Sequence, residues 1–272
     1  MPTFRIGYAQ FTPGFGERDS NLARIREMAT EARADLLVFP ELAVSGYEFP
    51  TRADLFAAAE TFGDGPTSLA ASDIARSLGC TMVIGYPERA GDRVFNACLL
   101  ATPGGLLANY RKIHLFGRET ARFDPGDAPP VVADTPVGRV GMMICFDWFF
   151  PETARILALA GARILAHPSN LVLDLCQRAM FARSVENRVF SITANRCGHE
   201  ERDGGRLVFT GRSQVLDPRG VLRVAAPEHG DCLGVVEVDP AEADDKRVTE
   251  ENDLFACRRV DLYGALIDSS TS

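Results

Sequence analysis

Two stretches of this chain, ARIREMATEARADLLVFPEL in the first half and ARILALAGARILAHPSNL in the second, read as one pattern written twice. Each sets apolar residues at helical spacing ahead of a short continuous apolar run closed by a proline, which is how a helix feeding a buried strand looks in sequence. In the first copy Leu22, Ile25, Met28 and Ala32 share one face behind a Ser20 cap, between the strands FRIGYAQF and DLLVFPE. That is a β-α-β unit ending at Glu41. Written twice, it predicts an α/β domain made of two similar layers, each a sheet covered by helices on one side.

The remaining segments fall into the same order. PTSLAASDIARSLG opens with Pro66, closes with Gly79 and leads to the strand TMVIGY. VFNACLLA and LLANYRK flank the turn TPGG, a hairpin that delivers Lys112 at its end. In the second half RVGMMIC is a strand, PETARILALAG a helix between Pro151 and Gly161, and ARILAHP a strand. DLCQRAMFARSVENR is a helix, VFSITAN a strand, GRSQVLDPRGVLRVAA a hairpin turning at DPRG, and LGVVEVD a last strand. The polar stretch CGHEERDGGR reads as an ordinary solvated loop. With 46% hydrophobic residues in 272, the chain has ample material for one domain spanning 1–272, its charged tail 240–272 packing as an arm.

A formal net charge of -8 and the lack of any Lys/Arg-rich run exclude a nucleic-acid or anionic-membrane surface and leave small-molecule chemistry. The opening MPTFRIGYAQFTP is too short in apolar residues for a signal peptide or a membrane span, so a cytoplasmic protein is expected. Seven cysteines with no C-x-x-C spacing read as reduced thiols, and four histidines never fall at H-x-x-x-H spacing. No metal and no cofactor is assigned.

Three polar residues stand just beyond apolar strands: Glu41, Lys112 and Cys145. In open α/β folds ligands gather at the carboxyl ends of strands, so these side chains can converge as a base, a cation and a nucleophile. A thiol needs a base or a positive neighbour to attack at neutral pH, usually a histidine. His199 and Glu201 have the His-x-Glu spacing of class I glutaminases, but the glycines of a nucleophile elbow are missing around ICFD, and a papain-like signature is also absent. A carboxylate is left as the base.

In that order, VFPELAVSGY, YRKIHLFGRE, FDPGD and ICFDWFFPETAR resemble the motifs of the nitrilase superfamily of carbon–nitrogen hydrolases, and the resemblance covers nearly the whole chain. It implies a four-layer αββα sandwich that pairs across helices into a homodimer or a higher homo-oligomer. It implies Glu41 as general base, Lys112 as the oxyanion-stabilising cation and Cys145 as nucleophile, with Glu119 in GRETARF matching a second glutamate that positions substrate. The residue types fit such chemistry: the developing oxyanion would meet the Lys112 ammonium and the Phe146 N–H, each such donor contributing about 3 kcal/mol in the transition state. Two carboxylates beside one cation should have their pKa values pushed apart, one donating while the other accepts.

Nitrile-hydrolysing branches commonly carry Cys-Trp-Glu at the nucleophile, whereas here Cys145, Phe146 and Asp147 follow one another, a form similar to the amidase and carbamoylase side. The resemblance therefore implies an amidase for small aliphatic amides acting through a thioester. The alternatives are a nitrilase or an N-carbamoyl hydrolase, and, in a different class, a silent binding protein or a peroxide-sensing thiol on the same fold. Tyr47, Trp148 and Asn170, beside the catalytic strand ends, are the expected pocket walls. Arg178 or Arg183, on the helix after HPSN, could hold a substrate carboxylate, but a helix arginine more often makes an interface or surface ion pair, and neither is assigned.

Overall fold

The computed structural model describes residues 2–202 and 205–268. The first half runs through β1 (Phe4–Gln10), α1 (Arg18–Ala32), β2 (Leu36–Val38), α2 (Arg52–Ala58), α3 (Pro66–Leu78), β3 (Thr81–Ala90), β4 (Arg93–Thr102) and β5 (Gly105–Arg111). Ser20 is not the cap of α1, which starts at Arg18 behind Glu17. The Asn21 side chain accepts from Gly14 N–H at 2.8 Å and donates to Gly14 O at 2.7 Å, drawing the incoming loop tight so that the helix begins earlier. Helix α2, which periodicity passes over, is started by a capping box between Thr51 and Asp54. Helix α3 begins at Pro66 and is closed by Gly79 in the left-handed conformation, as the sequence predicts.

The second half contains β6 (Val132–Thr135), β7 (Gly138–Met142), α4 (Pro151–Leu159), β8 (Ile164–Ser169), α5 (Cys176–Asn187), β9 (Phe190–Asn195), β10 (His199–Arg202), β11 (Gly205–Val208), β12 (Gln214–Leu216), β13 (Leu222–Ala225) and β14 (Cys232–Val238). The stretch read as a solvated loop carries the hairpin β10–β11, and its Cys197 and Glu200 are buried; Asp203 and Gly204 lie outside the described residues. In the tail, Lys246 Nζ donates to Asn187 O at 3.0 Å and Arg188 O at 2.9 Å, satisfying carbonyls at the end of α5. Residues 269–272 of the tail lie outside the described residues.

The two halves build two six-stranded sheets, ordered β14-β1-β2-β3-β4-β5 and β13-β12-β9-β8-β7-β6. In each, three central parallel strands, β1-β2-β3 or β7-β8-β9, are flanked by antiparallel ones. The repeat heard in the sequence is this equivalence, with α1–β2 answering α4–β8. Strand β14, last in the chain, pairs with β1 from Phe4↔Val238 to Gln10↔Cys232, so the second half closes the sheet of the first.

Alternation along the strands sorts the core into layers. Ile6, Tyr8, Leu36 and Val38 meet Val140, Met142, Ile164 and Ile192 between the sheets. On the far side of the first sheet Leu37, Met82 and Ile84 pack on Ile25, Met28 and Ile74 of α1 and α3. Helices α4 and α5 cover the second sheet, and Gly141 of β7 lets α4 close in, a Cβ there lying 3.2 Å from Leu157 Cβ. The result is an αββα sandwich. No helix among the described residues is long and apolar enough to cross a membrane.

One close approach ties the fold to the residues of interest. A Cβ on Gly85 of β3 would lie 2.5 Å from Pro40 O and 2.6 Å from Glu41 Cα, so β3 fits against the turn after β2 only as glycine. Gly85→Ala is expected to destabilise the protein by about 1–3 kcal/mol through overpacking and to displace Glu41. Denaturant unfolding reads the first effect, and a midpoint equal to wild type would refute this packing account.

Candidate active site

The carboxyl ends of strands from both sheets converge between them. Glu41 lies in the turn after β2, Lys112 directly follows β5, Glu119 sits in the 3₁₀ turn Gly117–Ala121, and Cys145 opens the 3₁₀ turn Cys145–Phe149 beyond β7. Glu41 and Lys112 are wholly buried, and Glu119 and Cys145 nearly so. Lys112 Nζ donates to Glu41 Oε1 at 2.7 Å and to both oxygens of Glu119 at 2.8 Å. Asn96 of β4 donates to Glu41 Oε1 at 2.6 Å, Tyr47 OH donates to Glu119 Oε1 at 2.6 Å, and Phe116 N–H donates to Glu119 Oε2 at 3.1 Å. The other oxygen of Glu41, Oε2, is buried with no hydrogen-bond partner among the described residues, so it is the one carboxylate oxygen of Glu41 left free to accept a proton.

The thiol-bearing turn is held from below. Cys145 has φ +41° and Leu42, next to Glu41, φ +48°, left-handed values that cost a non-glycine residue about 1–2 kcal/mol. Asp147 keeps the Cys145 turn in place: its Oδ2 accepts from Ile144 N–H at 2.8 Å and from Tyr110 OH at 2.7 Å, while Oδ1 meets His114 Nδ1 at 2.8 Å. His167 lies 2.9 Å through Nε2 from the carbonyl oxygen of Cys145, with Thr193 Oγ1 at 3.2 Å from Nδ1. Asp147 and His167 both escape sequence reasoning about the site, because they act on the backbone of the Cys145 turn and form no motif of their own. Arg183 donates to Trp148 O at 3.2 Å and pairs with Glu186 one helical turn on.

Burial alone would discharge Lys112, but Glu119 and Glu41 hold its pKa well above the ordinary lysine value, so it stays an ammonium. Burial pushes the Glu119 carboxyl up, against the pull of Lys112. The Cys145 thiol is pushed well up by burial and then by Glu41, which Lys112 only partly offsets. Cys145 therefore rests as a thiol, and its attack requires a base that takes the proton during the step. The backbone of Asn170 faces the same sulfur.

A cavity of about 20 Å³ touches Cys145, walled by Phe116, Phe146, Trp148, Asn170 and Leu171. Phe146, Trp148 and Asn170 are thus brought together with Cys145, whereas Tyr47 stands behind Glu119 and lines a larger outer cavity of about 260 Å³. Phe116 and Val172 border both spaces. Both side-chain polar atoms of Asn170 are buried and have no hydrogen-bond partner among the described residues. A cavity of about 400 Å³ at the start of α1 is lined by Arg18, Asp19 and Glu60 and touches none of this cluster. Among the described residues no group of three or more His, Cys, Asp or Glu is placed to hold a metal ion.

Burial depresses His167 to about pH 4 from its ordinary 6.5. The unfolded chain takes up this proton first, so the folded state loses stability as pH falls from 6.5 to 4, by roughly 3 kcal/mol for this one group. Thermal unfolding of wild type and His167→Gln across that window checks the effect. The wild-type midpoint should fall more steeply toward pH 4, and parallel curves would show that His167 is not the titrating group.

The carbon-nitrogen hydrolase family model matches residues 5–247. A nitrilase of Pyrococcus abyssi is 41% identical over 262 residues, 95% of this chain and 98% of that protein. An (R)-stereoselective amidase of a Pseudomonas species is 35% identical over 266 residues, 96% and 93% of the respective chains. Among solved structures, a mutant of the amidase from Nesterenkonia sp. AN1, with the acetamide moiety of fluoroacetamide added covalently at its active site cysteine, matches with a TM-score of 0.79 at 29% identity over 96% of both chains.

Proposed function

Because the chain belongs to the carbon–nitrogen hydrolase family, we propose that it is an amidase that hydrolyses small aliphatic amides to carboxylic acid and ammonia through a thioester on Cys145. The observation that carries this reading is a protonated, buried thiol beside an ammonium clamped by two carboxyl groups, one of which keeps a free oxygen. Glu41 takes the Cys145 proton as sulfur bonds to the amide carbon. The carbonyl oxygen becomes an oxyanion that receives Phe146 N–H and the Lys112 Nζ–H released from one of the two Glu119 oxygens. In the turn, Asp147 N–H is already given to Ile144 O and Ile144 N–H to Asp147 Oδ2, which leaves Phe146 N–H for the substrate. Collapse breaks the carbon–nitrogen bond as the proton on Glu41 passes to nitrogen, with Glu119 holding the leaving group, and ammonia departs. Water then gives a proton to Glu41 and its oxygen to the thioester carbon; the acid leaves and the proton returns to sulfur.

The size of the space at Cys145 supports a short acyl group, and the unpartnered Asn170 carboxamide suits the two sides of a primary amide, donating to oxygen or accepting from nitrogen. The 41% identity to the Pyrococcus abyssi nitrilase favours small nitriles as the second reading, with the same residues in the same roles.

Ammonia release from acetamide, propionamide, butyramide, glutamine, an N-carbamoyl amino acid and propionitrile tests this directly. Short amides should be turned over best, and Cys145→Ala should lose at least about 10⁴-fold in kcat. Faster turnover of propionitrile than propionamide would move the protein to the nitrilase reading, and silence across the panel from folded protein would remove the catalytic one.

Acyl length should be set by Phe116, which separates the inner cavity from the outer one. Phe116→Ala keeps the backbone N–H that Glu119 uses and should raise the ratio of kcat/KM for hexanamide over acetamide by roughly tenfold or more, since one methylene in an apolar pocket changes selectivity by about 10–200-fold. An unchanged ratio would place the limit elsewhere.

A further inference from the structure

The hairpin that follows β9 carries a buried ion pair that the proposed chemistry does not use. Arg196 is wholly buried, and its Nη1 donates to Glu200 Oε1. Its Nε and Nη2 have no hydrogen-bond partner, so Glu200 is the one group that compensates this guanidinium by hydrogen bonding among the described residues. Alternation along β10 turns Glu200 inward while His199 and Glu201, the pair with glutaminase-like spacing, stay exposed.

The Glu200 carboxylate points at the loop after β2. Its Oε1 accepts from Tyr47 N–H at 3.0 Å and its Oε2 from Glu48 N–H at 2.7 Å. Gly46, at φ +77°, makes that presentation of two successive N–H groups possible, and a Cβ there would lie 3.1 Å from Glu200 Oε1. Phe209 completes the support: the Arg196 guanidinium lies 4.0 Å over its ring, and the Tyr47 ring meets it edge-on at 6.1 Å. Tyr47 then donates its hydroxyl to Glu119 at 2.6 Å, and Glu119 grips Lys112. A buried ion pair with unpaired donors is a weak source of stability compared with apolar packing, so its presence here calls for a positional reason.

We propose that Glu200, held by Arg196, is a positioning residue: it fixes the backbone of Tyr47 and, through the Tyr47 hydroxyl, sets Glu119 against Lys112. This rests on the reading of Cys145, Lys112 and Glu119 as the reacting cluster. If Glu200 acts through Tyr47, removing either must cost the same step, and removing both must cost no more than one.

The test is a double-mutant cycle on Tyr47→Phe and Glu200→Gln, read as kcat and KM for propionamide and as the rate of Cys145 alkylation by iodoacetamide, followed by mass spectrometry. Each single variant should lower kcat about 10–100-fold, the range for a lost hydrogen bond to a charged group, with KM within about threefold. The double variant should match the worse single. Arg196→Met/Glu200→Leu, which leaves no unpaired buried charge, should show the same loss and carries the comparison if Glu200→Gln does not fold. Folded Glu200→Gln with kcat and alkylation rate within twofold of wild type, or a double variant whose loss is the product of the singles, overturns the proposal. Alkylation needs no amide turnover. A wild type that alkylates readily yet releases no ammonia, with alkylation slowed equally by both substitutions, would overturn the amidase reading and uphold this one.

Discussion

Everything at this site depends on keeping one ammonium charged in a buried place. Removing a lysine from solvent is costly, and the charge persists only where nearby carboxylates and hydrogen bonds replace hydration. Lys112 meets that condition by donating to Glu41 and to both oxygens of Glu119. Each carboxyl group is itself fixed from elsewhere, Glu41 by Asn96 and Glu119 by Tyr47 and Phe116 N–H. The carboxylates around Lys112 are thus held by bonds of their own, the kind of preorganisation that the oxyanion stabilisation proposed for Lys112 would call on.

The near-symmetry of the fold is used asymmetrically. The first sheet and its loops supply Glu41, Lys112 and Glu119, and the turn after β7 of the second sheet supplies Cys145. Neither half by itself assembles the cluster, because Cys145 belongs to the second sheet and Glu41, Lys112 and Glu119 to the first. Their meeting depends on the apolar packing of Ile6, Leu36 and Val38 against Val140, Met142 and Ile164, and on β14 crossing back to pair with β1. Stability and site geometry are therefore set by the same contacts, and Gly85 against Glu41 is where the two demands touch most closely.

The left-handed turns at Leu42 and Cys145 show where conformational strain is accepted. Asp147 and His167 hold the Cys145 turn from the protein side, leaving its sulfur toward the cavity. Such groups do their work on backbone atoms, so their identity matters as much as that of the side chains that react.

The sequence by itself determined the layered α/β plan, because helical and strand periodicities are local properties of the chain and here occur twice. It also placed Glu41, Lys112 and Cys145 just past the ends of strands or hairpins, where side chains can gather, with Trp148 and Asn170 beside them, whereas Glu119 was legible only through the resemblance of GRETARF to the family motif. Tertiary structure decided the rest. Which face of HEER turns inward is set by pairing with β11 and by the loop it meets, so Glu200 looked solvated in sequence and is buried in the fold. The start of α1 was moved by Asn21 reaching back to Gly14, and α2, β6 and β10 are too short for periodicity to reveal. His167 looks like a strand residue until β7 and β8 lie side by side and bring its ring to the Cys145 carbonyl. Contacts between residues far apart in the chain leave no period and no spacing, and only the folded backbone brings them into being.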